Sequence, residues 1–272
     1  LIVFVESYGR TSFDTPFYAA THRATLAEAE ARLRRRGLSM RSGFVHAPTR
    51  GGQSWLSHAT FANGLWIDDQ TRYGAALASG RETLFHIARR SGFRTAAVMP
   101  QITLDRLLRD GEHHRPLFAQ VALGSSHAPW VPVPELVNWE DIGDGRIFDE
   151  MARSGDPPDV VWRDRDRVRA QYRRAVDYAI GTVLDYAARH AGDPPLIVVL
   201  GDHQAAGFVA LDERPDVPVH LIGPDHLVAP AEDWGWRSGL IPDTGSRVRR
   251  MDQMRDMILE AYSSPGAAGP GS

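Results

Sequence analysis

Two stretches of the chain, residues 1–5 (LIVFV) and 196–200 (LIVVL), are apolar at every position and rich in β-branched side chains. A strand with one wet face alternates apolar and polar residues. A strand with no polar position is buried on both faces, the condition of a strand inside a parallel sheet covered by helices. Residues 40–46, 93–99, 116–123 and 217–222 read as further strands. Between them, residues 19–36 read as an amphipathic helix that stops before Gly37, and residues 54–65, 81–91, 164–190 and 251–262 also carry helical patterns. This alternation predicts an α/β fold: a mostly parallel central sheet with helices on both faces. Residues 129–158, rich in Pro, Gly and Asp, read as a long surface excursion. There is no internal repeat and no clear linker. Residues 1–262 therefore read as a single domain, and residues 263–272, made mostly of Gly, Pro, Ala and Ser, as a disordered tail.

Composition removes whole classes of chemistry. The chain has no cysteine, which excludes disulfides, thiolate metal sites and a cysteine nucleophile. Its 31 basic residues are all arginine, so neither Schiff-base chemistry nor a P-loop is available. The formal net charge of -3 points to no polyanionic partner. No apolar run reaches the ~18 residues of a membrane span, and no signal peptide is visible. The chain opens inside an apolar strand, which leads us to expect an upstream segment.

In an open parallel sheet, ligands bind beyond the carboxyl ends of the strands. Glu6 follows the first strand there. Asp202 and His203 follow the 196–200 strand through Gly201, and Ser125, Ser126 and His127 follow the 116–123 strand. Ser54 opens a helix, where backbone N–H groups and the helix dipole favour an anion. Two carboxylates and an imidazole suit a divalent cation. Mixed oxygen and nitrogen donors favour Mn or Zn and suit Mg or Ca less well. A serine hydroxyl held by such a cation becomes a usable nucleophile. Each residue also has an ordinary alternative: a cap or ion pair for Glu6, an N-cap for Ser54, a loop hydrogen bond for His127.

Four segments carry a resemblance. "LIVFVESYG" (residues 1–9) resembles the opening strand and metal-binding glutamate of the sulfatase-like lipoteichoic acid synthases and phosphoethanolamine transferases, within the alkaline phosphatase and sulfatase superfamily. "GGQSWLSHATFANGLW" (51–66) resembles their nucleophile segment, "SSHAPW" (125–130) their Ser-His-x-Pro segment, and "VVLGDHQ" (198–204) their Gly-Asp-His metal loop. Order and spacing agree across most of the chain. The segments also resemble the sulfatase-like domain of actinobacterial membrane proteins. The resemblance implies an alkaline phosphatase-like fold, with Ser54 as nucleophile and one metal held by Glu6, Ser54, Asp202 and His203. It implies that His127 meets the substrate. It also implies an enzyme anchored at the outer face of the membrane, acting on a phospho-alcohol of an envelope polymer or lipid through a covalent serine intermediate.

Two departures matter. Formylglycine-type sulfatases need Pro or Ala two positions after the nucleophile and Arg four after; here Leu56 and His58 stand there. Phosphate is therefore expected over sulfate, with a sulfuric ester hydrolase as the alternative. The stretch from Pro100 to Pro116 is shorter than in relatives, which keeps open a degenerate domain that binds an envelope polyanion or a partner. An α/β-hydrolase reading fails because Gly52-Gln53-Ser54-Trp55-Leu56 lacks the second glycine of G-x-S-x-G. Weaker candidates are His58, on the helix face of Ser54; Arg50, ahead of the nucleophile; Trp55 and Trp130, as groove walls; and His220, as a ligand for a second metal. His113 and His114, beside Glu112, read as solvated, and Trp234-Gly235-Trp236 as packing on a sheet edge.

Overall fold

The computed structural model describes residues 1–99 and 115–263. The readings of His113, His114, the 100–116 segment and the tail beyond Ser263 lie wholly or mostly outside those residues. Eight strands form one sheet: β1 (Ile2–Val5), β2 (Ser39–His46), β3 (Arg94–Val98), β4 (Leu117–Leu123), β5 (Ile197–Gly201), β6 (Asp216–Gly223), β7 (Arg237–Ser238) and β8 (Arg249–Arg250). Their order is β3-β4-β1-β5-β6-β2-β7, with β8 beside β2. The strands β3, β4, β1 and β5 run parallel.

The strand read at 217–222 runs the other way, antiparallel to β5. Its connection from β5 holds only the short helix Gly207–Ala210 and no crossover helix, and a return without a crossover gives an antiparallel neighbour. β2 is antiparallel to β6 in turn. It therefore ends at the same edge as β1, β4 and β5, and the loop that leaves it toward Ser54 starts beside the other site loops.

Alternate residues of β1 feed two cores, as the strand period requires. Val3 and Val5 pack with Leu26, Leu33, Tyr172, Val176 and Val183. These come from helices α1 (Pro16–Arg35) and, numbering only the longer helices, α6 (Arg165–Arg189). Ile2 and Phe4 pack with Phe61, Leu84, Met254 and Met257. These come from α2 (Ser54–Asn63), α4 (Leu84–Arg90) and α7 (Gln253–Tyr262). The sheet is thus covered on both faces, as the all-apolar strands require.

Local chemistry sets the helix ends. α6 starts where the Asp164 carboxylate accepts from the backbone N–H groups of Asp166 and Arg167, which satisfies two orphan donors. α1 begins three residues before the sequence reading, because Pro16 suits the first helical position. α4 begins at Leu84 rather than Arg81, after a Thr83–His86 capping box. Two further helices, α3 (Gln70–Ala78) and α5 (Ile147–Ser154), bury no residue.

Candidate metal centre and nucleophile

Val5 pairs with Gly201 across the parallel strands β1 and β5. The next residue on each strand is Glu6 and Asp202, so two carboxylates leave the sheet side by side, about one strand spacing apart. Gly201 is required there: a Cβ on it would stand 1.8 Å from the Tyr8 carbonyl oxygen, where the chain after Glu6 folds back over β5. That fold-back puts Ser7 at φ 58°, in the left-handed region. The Ser7 N–H then donates to Asp202 Oδ1 at 2.9 Å, and the His203 N–H donates to the same oxygen at 2.7 Å. Tyr172, from α6, steadies the turn by donating to the Ser7 carbonyl at 2.8 Å.

The other Asp202 oxygen, Oδ2, is buried and has no hydrogen-bond partner. A buried carboxylate oxygen without a partner is costly unless something positive meets it. His203 supplies a nitrogen donor beside it. Its Nδ1–H donates to the Gln204 carbonyl at 3.0 Å, so Nε2 faces the cluster, 3.1 Å from Glu6 Oε1. Holding one imidazole nitrogen on a carbonyl to aim the other is a common second layer of metal sites. Carboxylate oxygens of Glu6 and Asp202 and a His203 ring nitrogen all lie within 4.8 Å of one another. Two oxygens, one nitrogen and an orphaned buried oxygen fit a divalent cation.

Electrostatics fit a site built for positive charge. Burial works against ionised His203, but the charge of Asp202, the hydrogen bond and charge of Glu6 and the Gln204 carbonyl together outweigh it and raise the imidazole to about 9. Burial raises the Asp202 carboxyl to about 7. Burial also opposes ionisation of Glu6, yet the hydrogen bond and charge of His203, with the Ser54 hydroxyl, hold its carboxyl well below the usual range.

Ser54 completes the cluster from the far side. Gly51 and Gly52 have φ values of 73° and 145°, and Gln53 sits left-handed at 65°. This turn starts α2 with Gln53 as its cap, and no side chain caps the helix. Ser54 is therefore the first helical residue and not the N-cap. Its Oγ donates to Glu6 at 2.8 Å to Oε1 and 2.9 Å to Oε2, and lies 3.3 Å from His203 Nε2. The structure thus brings Glu6, Ser54, Asp202 and His203 together.

His127 stays outside that contact shell. It ends the 3₁₀ turn Gly124–Ser126 after β4, with an exposed side chain whose Nδ1 bonds the Ala128 carbonyl. Leu123 is in register with Val5, so this turn starts next to Glu6.

The weaker candidates separate. His220 is a core histidine and not a ligand. Ser42 donates its hydroxyl hydrogen to the Gly239 carbonyl, so it accepts from His220 Nδ1 at 2.7 Å, and Tyr8 then donates to Nε2 at 3.0 Å. Burial lowers its pKa to about 3. His58 packs on Phe4 with ring centroids 4.2 Å apart, and burial lowers it to about 4 against the pull of Glu6. Arg50 pairs with Glu213 at the surface. Trp130 is no groove wall: it is buried, donates to the Ser126 carbonyl at 2.8 Å and stacks on Trp162. Trp55 stands exposed beside Ser54. Trp236 fills the space over Gly43 on β2, close to the sheet edge. Ser7, Gly51 and Gln204 were not singled out from sequence; their roles are backbone contacts, which leave no mark on residue type.

No protein-family profile and no curated protein matches the sequence. Solved structures do match the fold. The C-terminal periplasmic domain of EcEptC from Escherichia coli superposes with a TM-score of 0.57 at 15% identity, covering 96% of this chain and 80% of that one. A Vibrio parahaemolyticus protein of the alkaline phosphatase superfamily gives 0.54 at 16% identity, covering 95% of this chain and 64% of that one. The fold is that of the alkaline phosphatase superfamily. A Bacteroides thetaiotaomicron protein studied in the metabolism of multiple glycosaminoglycans has the same fold, with a TM-score of 0.52 at 12% identity over 95% of this chain and 71% of that one.

Proposed function

We propose that residues 1–262 form one catalytic domain, a metal-dependent phosphotransferase or phosphoester hydrolase that works through a covalent intermediate on Ser54. The observation that carries this reading is the convergence of Glu6, Asp202, His203 and Ser54 from three separate loops onto one point, with a buried Asp202 oxygen left for a cation. Glu6, Asp202, His203 and Ser54 would hold the metal. When bound, it supplies Lewis acidity and stabilises the serine as an alkoxide.

The chain's own residues account for the remaining steps. Ser54 Oγ points its proton at Glu6, so the proton has an acceptor when the oxygen attacks phosphorus. The new O–P bond forms as the bond to the departing alcohol breaks. His127, exposed on the turn after β4, would give that alkoxide a proton. Water or an acceptor alcohol then gives its proton to His127 and attacks phosphorus, the bond to Ser54 breaks, and the proton held by Glu6 returns to the serine. The first outcome is hydrolysis and the second transfer.

Phosphate is favoured over sulfate because Leu56 and His58 replace the residues that formylglycine formation needs. The periplasmic domain of EcEptC supports an extracytoplasmic setting, and a lipid-linked or envelope phospho-alcohol is the substrate class we propose. No helix among the described residues is long and apolar enough to cross a membrane.

The test is to load the protein with Mn, supply bis-p-nitrophenyl phosphate, and map any adduct by mass spectrometry. A phosphoryl or nitrophenyl-phosphoryl group on Ser54 supports the reading. Turnover of the diester that survives Ser54→Ala overturns it.

A further inference from the structure

Gln204 is fully buried, yet among the described residues neither its side-chain oxygen nor its nitrogen has a partner. Its backbone does the opposite. The one carbonyl accepts from Gly51 N–H at 2.8 Å and from His203 Nδ1 at 3.0 Å. Arg50 and Gln204 also form an isolated parallel bridge. A single oxygen therefore holds both the ring of a metal-cluster residue and the turn that presents Ser54. Any shift of that carbonyl moves both at once.

The position of this carbonyl depends on how Gln204 is seated. Its side chain lies against Gly9, on the loop that follows Glu6. A Cβ at Gly9 would come within 1.8 Å of Gln204 Oε1, 2.4 Å of Cδ and 2.9 Å of the Gln204 Cα. Gly9 is not among the glycines at positive φ, so its lack of a side chain answers to space and not to backbone strain. Three loops, from β1, β2 and β5, thus meet on one residue.

We propose that Gln204 is a positioning residue: its side chain, wedged on Gly9, seats the carbonyl that orients His203 and registers the Ser54 turn. The inference rests on the metal-centre reading above. Because the amide makes no hydrogen bond, shape and not polarity carries the effect.

The test is calorimetric titration of the purified protein with MnCl₂, paired with ¹⁵N spectra of the His203 ring and with thermal midpoints. Gly9→Ala is expected to weaken Mn binding by about tenfold or more, the size usual for lost outer-layer support. It should also reduce the share of the Nδ1-protonated ring. Gln204→Ala should weaken binding as well, because the carbonyl loses its seat. Gln204→Met, of similar length and without the amide, should bind close to wild type. The double variant Gly9→Ala with Gln204→Ala should bind better than Gly9→Ala alone, since the contacts with Oε1 and Cδ go, but less tightly than wild type, because the added methyl still meets the Gln204 Cα at 2.9 Å.

Wild-type affinity in Gly9→Ala, or a double variant no better than it, overturns the steric wedge. Failure of Gln204→Met to match wild type overturns the shape argument. Where Gly9→Ala does not fold, the comparison of Gln204→Met with Gln204→Ala decides. Wild-type protein that binds no Mn sinks the metal-centre reading itself, an outcome distinct from these.

Discussion

Ser54 and Glu6, 48 residues apart in sequence, are joined by hydrogen bonds of 2.8 and 2.9 Å from the serine hydroxyl to both carboxylate oxygens. A helix cap would instead turn the serine oxygen to its own backbone, and no side-chain cap is present on that helix. Ser54→Ala should therefore cost little stability. It should lower phosphodiester turnover by about 10³-fold or more, as loss of a nucleophile does, while Mn binding falls only modestly. Paired rate and calorimetric measurements check this; equal losses in both would mean that Ser54 serves the metal and nothing else.

Metal should stabilise the fold. Two carboxylates and an imidazole held together without a cation leave Asp202 Oδ2 uncompensated. A ligand bound only by the native state adds about 2.7 kcal/mol at a hundredfold excess over its dissociation constant. Mn should raise the thermal midpoint by several degrees and EDTA should reverse the rise. His203→Ala should abolish the response. A midpoint that ignores both Mn and EDTA contradicts the assignment.

Gly201→Ala tests the geometry that sets Glu6 beside Asp202. The added methyl would stand 1.8 Å from the Tyr8 carbonyl oxygen, which is backbone and cannot swing away. The expected cost is about 2–4 kcal/mol or failure to fold. Urea unfolding measures it, and a loss below about 0.5 kcal/mol would show that the β1 loop moves freely over β5.

Acid should weaken the protein through His220, whose pKa burial lowers from 6.5 to about 3. Above the unfolded value of 6.5 both states hold a neutral ring, and stability is complete. Between 6.5 and about 3 the unfolded chain takes a proton that the native one does not, so stability falls as pH falls. Near pH 5 the slope from this one proton is about 1.4 kcal/mol per pH unit. Urea unfolding from pH 7.5 to 4.5 should give a slope shallower by one proton in His220→Gln than in wild type. Equal slopes would mean that the ring is protonated in the native state.

Much of this was legible in the sequence because the signals are local. An all-apolar strand at residues 1–5 fixes a doubly covered sheet, and residues 164 and 190 bound α6 as its cap residues. The four cluster residues follow strand ends or open a helix, so topology alone sends them to one edge. What stayed hidden depends on space. The reversal of β6 is set by a short connection, and His220 looks like a ligand until Tyr8 and Ser42 are seen to occupy both nitrogens. Gln204 acts through its backbone, and its seat on Gly9 is invisible to any pattern of residue types. Ser54 was placed near an N-cap and is in fact the next residue, a shift that frees its hydroxyl for Glu6.

The metal content of the purified chain tests the central claim most directly, by elemental analysis of wild type and of the double variant Glu6→Ala with Asp202→Ala, each after incubation with Mn and Zn. We predict close to one divalent ion per wild-type chain and near none in the double variant. A wild-type protein that carries no ion after incubation, or a double variant that keeps it, would contradict the account.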